Sequence, residues 1–315
     1  MNDKYEERLG TDRMLPLVFR MALPAVIAQI VNLLYNIVDR IYIGHIPGIG
    51  TQALAGIGVA GSLIILISAF SAIVAGGGAP LAAIALGQGN RTHAGKILGN
   101  GFVLLLFFTL LTSGLSYLFM EPILLFTGAS EQTLGYATAY LSIYLIGTLF
   151  VEVSVGLNTF INTQGRPGIA MLSIVIGALL NILLDPLFIF VFDWGVKGAA
   201  WATVIAQAVS GVGLCVYTIR KFPEFRIRRE DMCMKWQTVR EIAVYSSLTC
   251  AQQSVMNFGI LMVQGLINSF GVAVMAAFAA AVKIDSFAYM PVQDFGNAFS
   301  TFIAQNFGAG QMKRI

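Results

Sequence analysis

Long apolar stretches recur along the whole chain, and they restrict it to one broad class of fold. Charged residues make up 11% of the sequence, against about 25% in soluble domains. A helix needs roughly 20 apolar residues to cross a hydrocarbon core of about 30 Å. The apolar stretches are continuous rather than alternating, which argues against membrane-spanning strands. Eight stretches are long enough, at about 15–44, 52–86, 97–119, 133–161, 168–192, 196–219, 239–269 and 274–307. The sequence therefore predicts an all-α, multi-pass membrane protein.

The basic residues predict how these spans are oriented. Lysine and arginine occur in alternate loops, at Arg13, at Arg91 and Lys96, at Arg166 and between residues 220 and 235. The intervening loops contain little basic charge. By the positive-inside rule, the amino terminus is cytoplasmic and the eight spans alternate from it. The net charge of +3 is then a topology signal, and we expect no nucleic-acid partner.

A weak internal repeat predicts two related bundles. A shift of 221 residues without a gap aligns Asn36 with Asn257, Gly44 with Gly265, and the Gly-Gln-Gly segment 87–89 with Gly-Ala-Gly at 308–310. Both copies begin on the same side, so this is a parallel repeat of six helices. We therefore expect a cytoplasmic segment at 1–14, a first bundle at 15–220, a cytoplasmic linker at 221–237 and the first two helices of a second bundle at 238–315. About eight of an expected twelve helices are present, and we interpret the chain as truncated after the eighth.

Two acidic residues lie within the apolar spans. A carboxylate at bilayer depth costs roughly 2.5–3.5 kcal/mol on insertion scales, so it indicates a functional site. In the first span, Asn36 shares a helical face with Asp39; in the fifth, Asn181 shares one with Asp185. Both acids and Thr203 of the sixth span fall in the outer half of the bundle. Their oxygens suit Na⁺, and the carboxylates could carry a proton instead.

Other polar residues of the spans admit both functional and structural interpretations. The fourth span has Tyr140, Tyr144, Thr148 and Glu152 at a spacing of four, followed by Asn158. Such a stripe faces the bundle interior, either as part of an ion-binding network or as interhelical hydrogen bonds. Pro186 removes a helical hydrogen bond beside Asp185. It either frees a carbonyl oxygen or only kinks the helix.

Enzymatic chemistry has little support. The two histidines, His45 and His93, are far apart, and no HExxH or GxSxG motif occurs. We predict that the protein is not an enzyme and has no cofactor. A membrane-embedded hydrolase built on acids alone is the remaining enzymatic alternative.

Several segments resemble the multidrug and toxic compound extrusion (MATE) family. They are YNIVDRIYIGHI (35–46), GQG (87–89), TQGRP (163–167), NILLDPLFIF (181–190), GVKGAAWATVIAQ (195–207) and FIAQNFGAG (302–310). The resemblance implies two six-helix bundles that face one another in a V in a bacterial inner membrane. It also implies a monomer that exports cationic amphipathic drugs in exchange for Na⁺ or H⁺ by alternating access.

The resemblance also implies roles for individual residues. Asp39, Asn181, Asp185 and Thr203 correspond to the family's amino-terminal cation site, and Tyr140 and Asn158 to the adjoining network. We add Asn36 and Glu152 to that network. As a hypothesis for the drug-binding wall we name Tyr35, Met256 and Met262, because aromatic and methionine side chains adapt to varied ligands.

Two alternatives belong to other functional classes. A lipid-linked oligosaccharide flippase has a similar helix layout, but it should place several cationic residues in its central cavity to hold a pyrophosphate. A non-transporting membrane scaffold would have no use for the buried acids. Acidic groups at depth favour cationic cargo over both.

Overall fold

The structure is a computed structural model that describes residues 14–221, 234–268, 270 and 272–315. Residues 1–13 of the predicted amino-terminal segment and residues 222–233 of the predicted linker lie outside the described residues. Within the described part, every regular element is helical. This agrees with the all-α class expected from the continuous apolar stretches.

Eight long helices occupy the described residues at the places where the sequence predicts spans. We number all helices in chain order, including a short one, α4, that follows α3. Their bounds are α1 Met14–Gly44, α2 Gly50–Gly87, α3 Arg91–Leu118, α4 Met120–Phe126, α5 Glu131–Thr163, α6 Pro167–Pro186, α7 Gly195–Lys221, α8 Trp236–Asn268 and α9 Val272–Gly308. A π-helical segment, Leu187–Val191, continues α6, and a 3₁₀ turn at Met312–Arg314 follows α9.

The distribution of apolar side chains is that of a protein that crosses a membrane several times. Six helices in the described part are long and apolar enough to do so: α1, α2, α3, α5, α6 with its π segment, and α7. On α6 the outward face is a stripe of large aliphatic residues that are 45–69% exposed, Leu172, Ile176, Leu179 and Leu183. Its inward face has small and polar residues instead, Ser173, Gly177, Asn181 and Asp185. This polarity is inverted relative to a water-soluble helix, because lipid solvates the apolar stripe.

The first six spans pack around α5. This helix contacts α7, α2 and α3, and α1 packs mainly along α6. Most of α5 is buried, including Leu141, Leu145 and Leu157. We call the end of the bundle that has Arg20, Lys96, Arg166 and Lys235 the basic end, and the end that has Ile46 and Asp193 the opposite end.

Helices α8 and α9 join the first six spans mainly through α2 and α1. Several of their contacts lie in the half of the bundle next to the basic end. Ala298 and Phe302 of α9 pack on Leu17 and Ala22 of α1. Near the same end, His93 of α3 lies 3.4 Å from the carboxylate of Glu241 on α8. The two groups of helices are thus held together at the basic end.

The closest of these contacts is a crossing of α2 and α9 at the glycine segments that the repeat aligns. A Cβ atom on Gly87 would lie 2.0 Å from the Gln305 carbonyl oxygen, and one on Gly308 would lie 2.1 Å from the Ile84 carbonyl oxygen. The 221-residue shift aligns Ile84 with Gln305 and Gly87 with Gly308. The two contacts are therefore equivalent under the repeat. The parallel repeat is therefore visible as a two-fold-like crossing.

Candidate functional site

The two acids that interrupt the apolar spans meet inside the bundle. Asp185 is fully buried on α6, and Asp39 on α1 is 9% exposed. Their carboxyl groups lie close enough to interact directly. The long contact between α1 and α6 brings them together, and both lie near the opposite end of their helices. Two carboxylates side by side repel unless a cation or proton compensates them.

Asn181 and Thr203 complete this group. The Asn181 amide nitrogen donates to Asp185 Oδ1 and to Thr203 Oγ1, both at 3.3 Å. Asn181 is one helical turn before Asp185, and Thr203 is reached because α7 packs against α6. The structure thus places all four sequence-predicted ion-site residues in one cluster, which we call the acid cluster: Asp39, Asn181, Asp185 and Thr203.

Three oxygens of the acid cluster have no hydrogen-bond partner among the described residues. They are Asp39 Oδ1, Asp185 Oδ2 and Asn181 Oδ1, all of them buried. A buried polar atom without a partner costs about 1–3 kcal/mol, and more when it is charged. Such atoms are rare in folded proteins and call for an unseen ion, water or proton. Two carboxylates, an amide oxygen and a hydroxyl form an oxygen set that fits a small hard cation.

Pro186 marks a change of helical register beside the acid cluster. From Leu187 the chain continues as a π-helix, in which the Phe192 amide donates to the Leu187 carbonyl at 2.9 Å. Proline has no N–H, so the carbonyl of Ile182, four residues earlier, loses its usual helical donor. Short π-helical segments are frequent at functional sites. This change of register is compatible with both interpretations of Pro186, a freed carbonyl oxygen and a kink of the helix.

Two tyrosines border the acid cluster. Tyr140 of α5 is buried, and its hydroxyl lies beside Thr203, within electrostatic range of Asp39. Tyr35 of α1 lies beside Gln207 of α7, within electrostatic range of both acids. We did not single out Gln207 from the sequence. Its position four residues after Thr203, on the same helical face, is the signal that points to it.

Asn158 lies apart from the acids in a second polar group. Its Oδ1 accepts a hydrogen bond from Ser173 Oγ at 3.2 Å, and the Ser173 carbonyl accepts one from Ser210 Oγ at 3.0 Å. Ser154 lies 3.4 Å from Ser210. Ser173 precedes Asp185 by about 18 Å along the helix axis. These contacts join α5, α6 and α7 to one another, which is the structural role that interhelical hydrogen bonds have.

Glu152 forms a third group, between α5 and α2. It is 1% exposed, and its Oε1 accepts a hydrogen bond from Ser68 Oγ at 2.8 Å. Its Oε2 is buried without a hydrogen-bond partner in the described part of the chain. Ser68 stands between Ile67 and Ala69 in an apolar run, so no sequence pattern singles it out.

The contact between Ser68 and Glu152 gives a stability prediction. Ser68→Ala leaves both carboxyl oxygens of Glu152 without a partner, and we expect the free energy of unfolding to fall by about 1–3 kcal/mol. The measurement is thermal unfolding of the purified protein in detergent. Ser62→Ala is the matched control, because Ser62 is an exposed serine on the same helix. Equal melting temperatures for the two variants would contradict the role given to Ser68.

The remaining sequence-predicted residues are more exposed. Asn36 is exposed, and its amide donates to the Asn32 carbonyl at 2.7 Å, so it is held by its own helix. Met256 and Met262 lie exposed on α8, and the Tyr289 hydroxyl is 3.5 Å from the Met256 sulfur. The structure does not bring these methionines to the acid cluster.

Comparison with known proteins gives a consistent family. The MatE family model matches residues 24–187 and 248–315. The chain is 27% identical over 297 residues to "Probable multidrug resistance protein YpnP" of Bacillus subtilis, covering 93% of this chain and 65% of the relative. It is 28% identical over 306 residues to "FAD transporter" of Shewanella oneidensis, covering 94% of this chain and 66% of that protein.

A solved structure supports the same fold. The crystal structure of MATE in the bent conformation superposes with a TM-score of 0.89 over 99% of this chain and 69% of that one. The sequence identity is 22%, so this likeness concerns the fold alone. The chain spans just under two thirds of the length of the two relatives named above. The family model matches well over half of its residues, and the chain belongs to the MatE family.

Proposed function

We propose that the protein is a cation-coupled efflux transporter that exports cationic amphipathic compounds by alternating access. The observation that carries the proposal is the acid cluster, in which two buried carboxyl groups adjoin and three oxygens have no described hydrogen-bond donor. Its relative in Bacillus subtilis is named as a multidrug resistance protein. The protein is expected to work as a monomer in a bacterial inner membrane, with its amino terminus in the cytoplasm.

The coupling ion is proposed to be Na⁺ or H⁺, bound at the acid cluster. The described residues contain no group of three or more His, Cys, Asp and Glu side chains suited to a metal ion. The oxygen atoms of the cluster belong to carboxylate, amide and hydroxyl groups, and such oxygens can coordinate Na⁺. A proton on either carboxyl group would compensate the same repulsion. The two ions would therefore compete for Asp39 and Asp185.

Helix α1 connects the acid cluster to the contact that closes the basic end. It has Asp39 near one end, and Leu17 and Ala22 pack on α9 at the other. A ligand shifts a conformational equilibrium only if it binds one state more tightly. A cation that draws α1 toward α6 and α7 favours one position of α1, and thereby one state of its contact with α9. This is how cation entry would drive the release of cargo.

The acidic character of the site favours cationic cargo. Asp39 interacts electrostatically with its neighbour Arg40, whose side chain is exposed. The several cationic side chains that a pyrophosphate-binding flippase would need are not seen around the acid cluster in the described part of the chain. Tyr35, which lies within electrostatic range of both acids, is the aromatic residue that we propose contacts a bound organic cation.

An efflux assay tests this proposal. The chain is expressed in a bacterial host that lacks its own major efflux pumps, and the cells are loaded with ethidium. We expect ethidium to leave the cells when an inward Na⁺ or proton gradient is imposed and to stay when the gradient is collapsed. Normal membrane expression without gradient-dependent efflux of ethidium would overturn the proposed activity of this chain.

The relative named as an FAD transporter supports a second candidate, the export of an anionic dinucleotide. Its cargo would be repelled by the acid cluster unless bound cations neutralise the carboxylates. The same cells discriminate between the candidates. Accumulation of FAD in the medium, without ethidium efflux, would mean that the protein exports the dinucleotide and not a cationic compound.

Thr203 offers a test of the cation site that leaves both acids in place. Thr203→Val removes the hydroxyl that Asn181 bonds to at 3.3 Å, whereas Thr203→Ser keeps it. We expect the valine variant to bind Na⁺ about tenfold more weakly and the serine variant to resemble the wild type. Equilibrium binding of ²²Na⁺ to the purified protein is the measurement. If valine and serine variants bind Na⁺ equally, Thr203 is not part of the site.

A further inference from the structure

A cavity of about 290 Å³ lies at the basic end, away from the acid cluster. It is bounded by the first turns of α1, the turn before α6 and the last turns of α7. Arg20, Arg166 and Tyr217 supply its polar wall, and Leu17, Met21 and Ile169 supply apolar wall. The proposed transport mechanism uses none of the three polar side chains, although Leu17 also packs on α9.

Two guanidinium groups line the cavity, and their positive charge favours an anion. The Arg166 side chain is held in place by the Tyr217 hydroxyl, which accepts a hydrogen bond from Nη1 at 3.2 Å. Arg20 comes from α1 and is exposed. A guanidinium presents several N–H donors in a planar fork that matches the oxygens of phosphate. The first turn of α6, which begins at Pro167, adds the positive end of its helix dipole.

The level of the cavity in the bundle indicates where such a phosphate comes from. The apolar spans begin at Pro16 in α1 and at Pro167 in α6, and the span in α7 ends at Thr218. Arg20, Arg166 and Tyr217 therefore lie within about one helical turn of the ends of three spans. This is the level at which the polar headgroups of a bilayer meet its hydrocarbon core. The apolar wall of Leu17, Met21 and Ile169 could then accept the glycerol and the first methylenes of a lipid.

We propose that this cavity binds the phosphate group of an anionic phospholipid, with Arg20 and Arg166 as its ligands. Basic pockets between membrane helices bind anionic headgroups through the same chemistry. The site is independent of the acid cluster, so it can be tested whether or not the protein exports drugs. A lipid held there would touch α1 in its first turns and bridge it to α6 and α7.

The test compares lipid retention by the purified full chain and its variants. The protein is equilibrated in micelles with equimolar phosphatidylglycerol and phosphatidylcholine, and bound lipid is identified by native mass spectrometry. We expect the wild type to retain phosphatidylglycerol in preference to phosphatidylcholine. Arg20→Gln combined with Arg166→Gln should weaken phosphatidylglycerol binding at least about tenfold. Lys96→Gln is the matched control, because it removes a positive charge from the basic end without altering the cavity wall.

Further arms separate the possible outcomes. Equal retention of phosphatidylglycerol by the wild type and the double variant would overturn the proposal. If potassium phosphate raises the melting temperature of the wild type in phosphatidylcholine micelles and phosphatidylglycerol does not, the lipid assignment is wrong and a soluble phosphate is the ligand. Should the double variant fail to fold, Arg20→Gln alone decides the question, because Arg20 is exposed and its loss disturbs no packing.

Discussion

Asp185→Asn should abolish cation-driven efflux and lower the affinity of the purified protein for Na⁺ at least about a hundredfold. The reason is that Asp185 is fully buried beside Asp39, and removing from the cation-bound state one carboxylate that compensates the buried cation costs about 3–5 kcal/mol. Asparagine has nearly the same volume and can still accept the hydrogen bond from Asn181. Asp39→Asn should act in the same direction, because the two carboxyl groups adjoin.

Protein stability separates a lost cation site from a misfolded protein. In Na⁺-free buffer, Asp185→Asn should melt no lower than the wild type, because it removes a repulsive buried charge. Added Na⁺ should raise the melting temperature of the wild type but not that of the variant, since a ligand stabilises only a protein that binds it. Asp193→Asn is the matched control, because Asp193 is an exposed acid near the same end of the bundle. Normal Na⁺ binding by Asp185→Asn would show that the acid cluster is not the site that binds the coupling cation.

The acid cluster shows what helical periodicity can predict. Counting residues from the start of each span, at about 1.5 Å per residue, places both acids in the outer half of the bundle. That count suffices to bring Asp39, Asp185 and Thr203 to one level. It does not tell which atoms meet. The two bonds of the Asn181 amide, to Asp185 and to Thr203, depend on how α6 and α7 rotate against each other, and a single sequence does not contain that angle.

The polar stripe on α5 shows where the same periodicity fails. Residues spaced by four are offset by about 40° at each step, because four residues exceed one turn of 3.6. From Tyr140 to Glu152 the offset reaches about 120°. Tyr140 accordingly lies beside Thr203 of α7, whereas Glu152 bonds Ser68 of α2. Polar residues spaced by four on α5 therefore do not form one network. They contact different helices, because other helices surround α5.

The glycine segments show what the internal repeat predicts and what it leaves open. The repeat aligns Gly87 with Gly308. It does not indicate that the two segments touch each other. Each glycine admits the carbonyl oxygen of the other copy, Gln305 at Gly87 and Ile84 at Gly308. Contacts between two copies of a repeat depend on the axis that relates them, and sequence identity between the copies says nothing about that axis.

Gly87→Ala should separate α2 from α9 at the basic end. Its Cβ would lie 2.0 Å from the Gln305 carbonyl oxygen, whereas ordinary contacts need about 3.5 Å. A backbone oxygen cannot rotate away, so the helices must move apart. We expect the free energy of unfolding to fall by about 1–3 kcal/mol, as for other overpacked sites. Gly61→Ala is the matched control on the same helix: its Cβ meets open space, so helix propensity should leave its stability unchanged or raise it by about 0.5–1 kcal/mol.

Gly87→Ala should also make the contact between α1 and α9 at the basic end accessible to water-soluble reagents. A cysteine placed by Ala298→Cys, in a background without the native cysteines, reports on the buried contact between α1 and α9. A loss of about 1.4 kcal/mol from the closed contact should speed its reaction with a water-soluble maleimide about tenfold. Labelling that stays as slow as in Gly61→Ala would mean that the crossing does not hold this end closed.

The double variant Gly87→Ala, Gly308→Ala tests whether the crossing acts as one contact. The two glycines face the same pair of helices at one place, so the separation forced by the first alanine also makes room for the second. The combined loss of stability should therefore be smaller than the sum of the single losses, as expected for residues that share a contact. Additive losses would instead mean that the two glycines pack independently. The repeat would then be a likeness of sequence and fold, without a shared closure at the basic end.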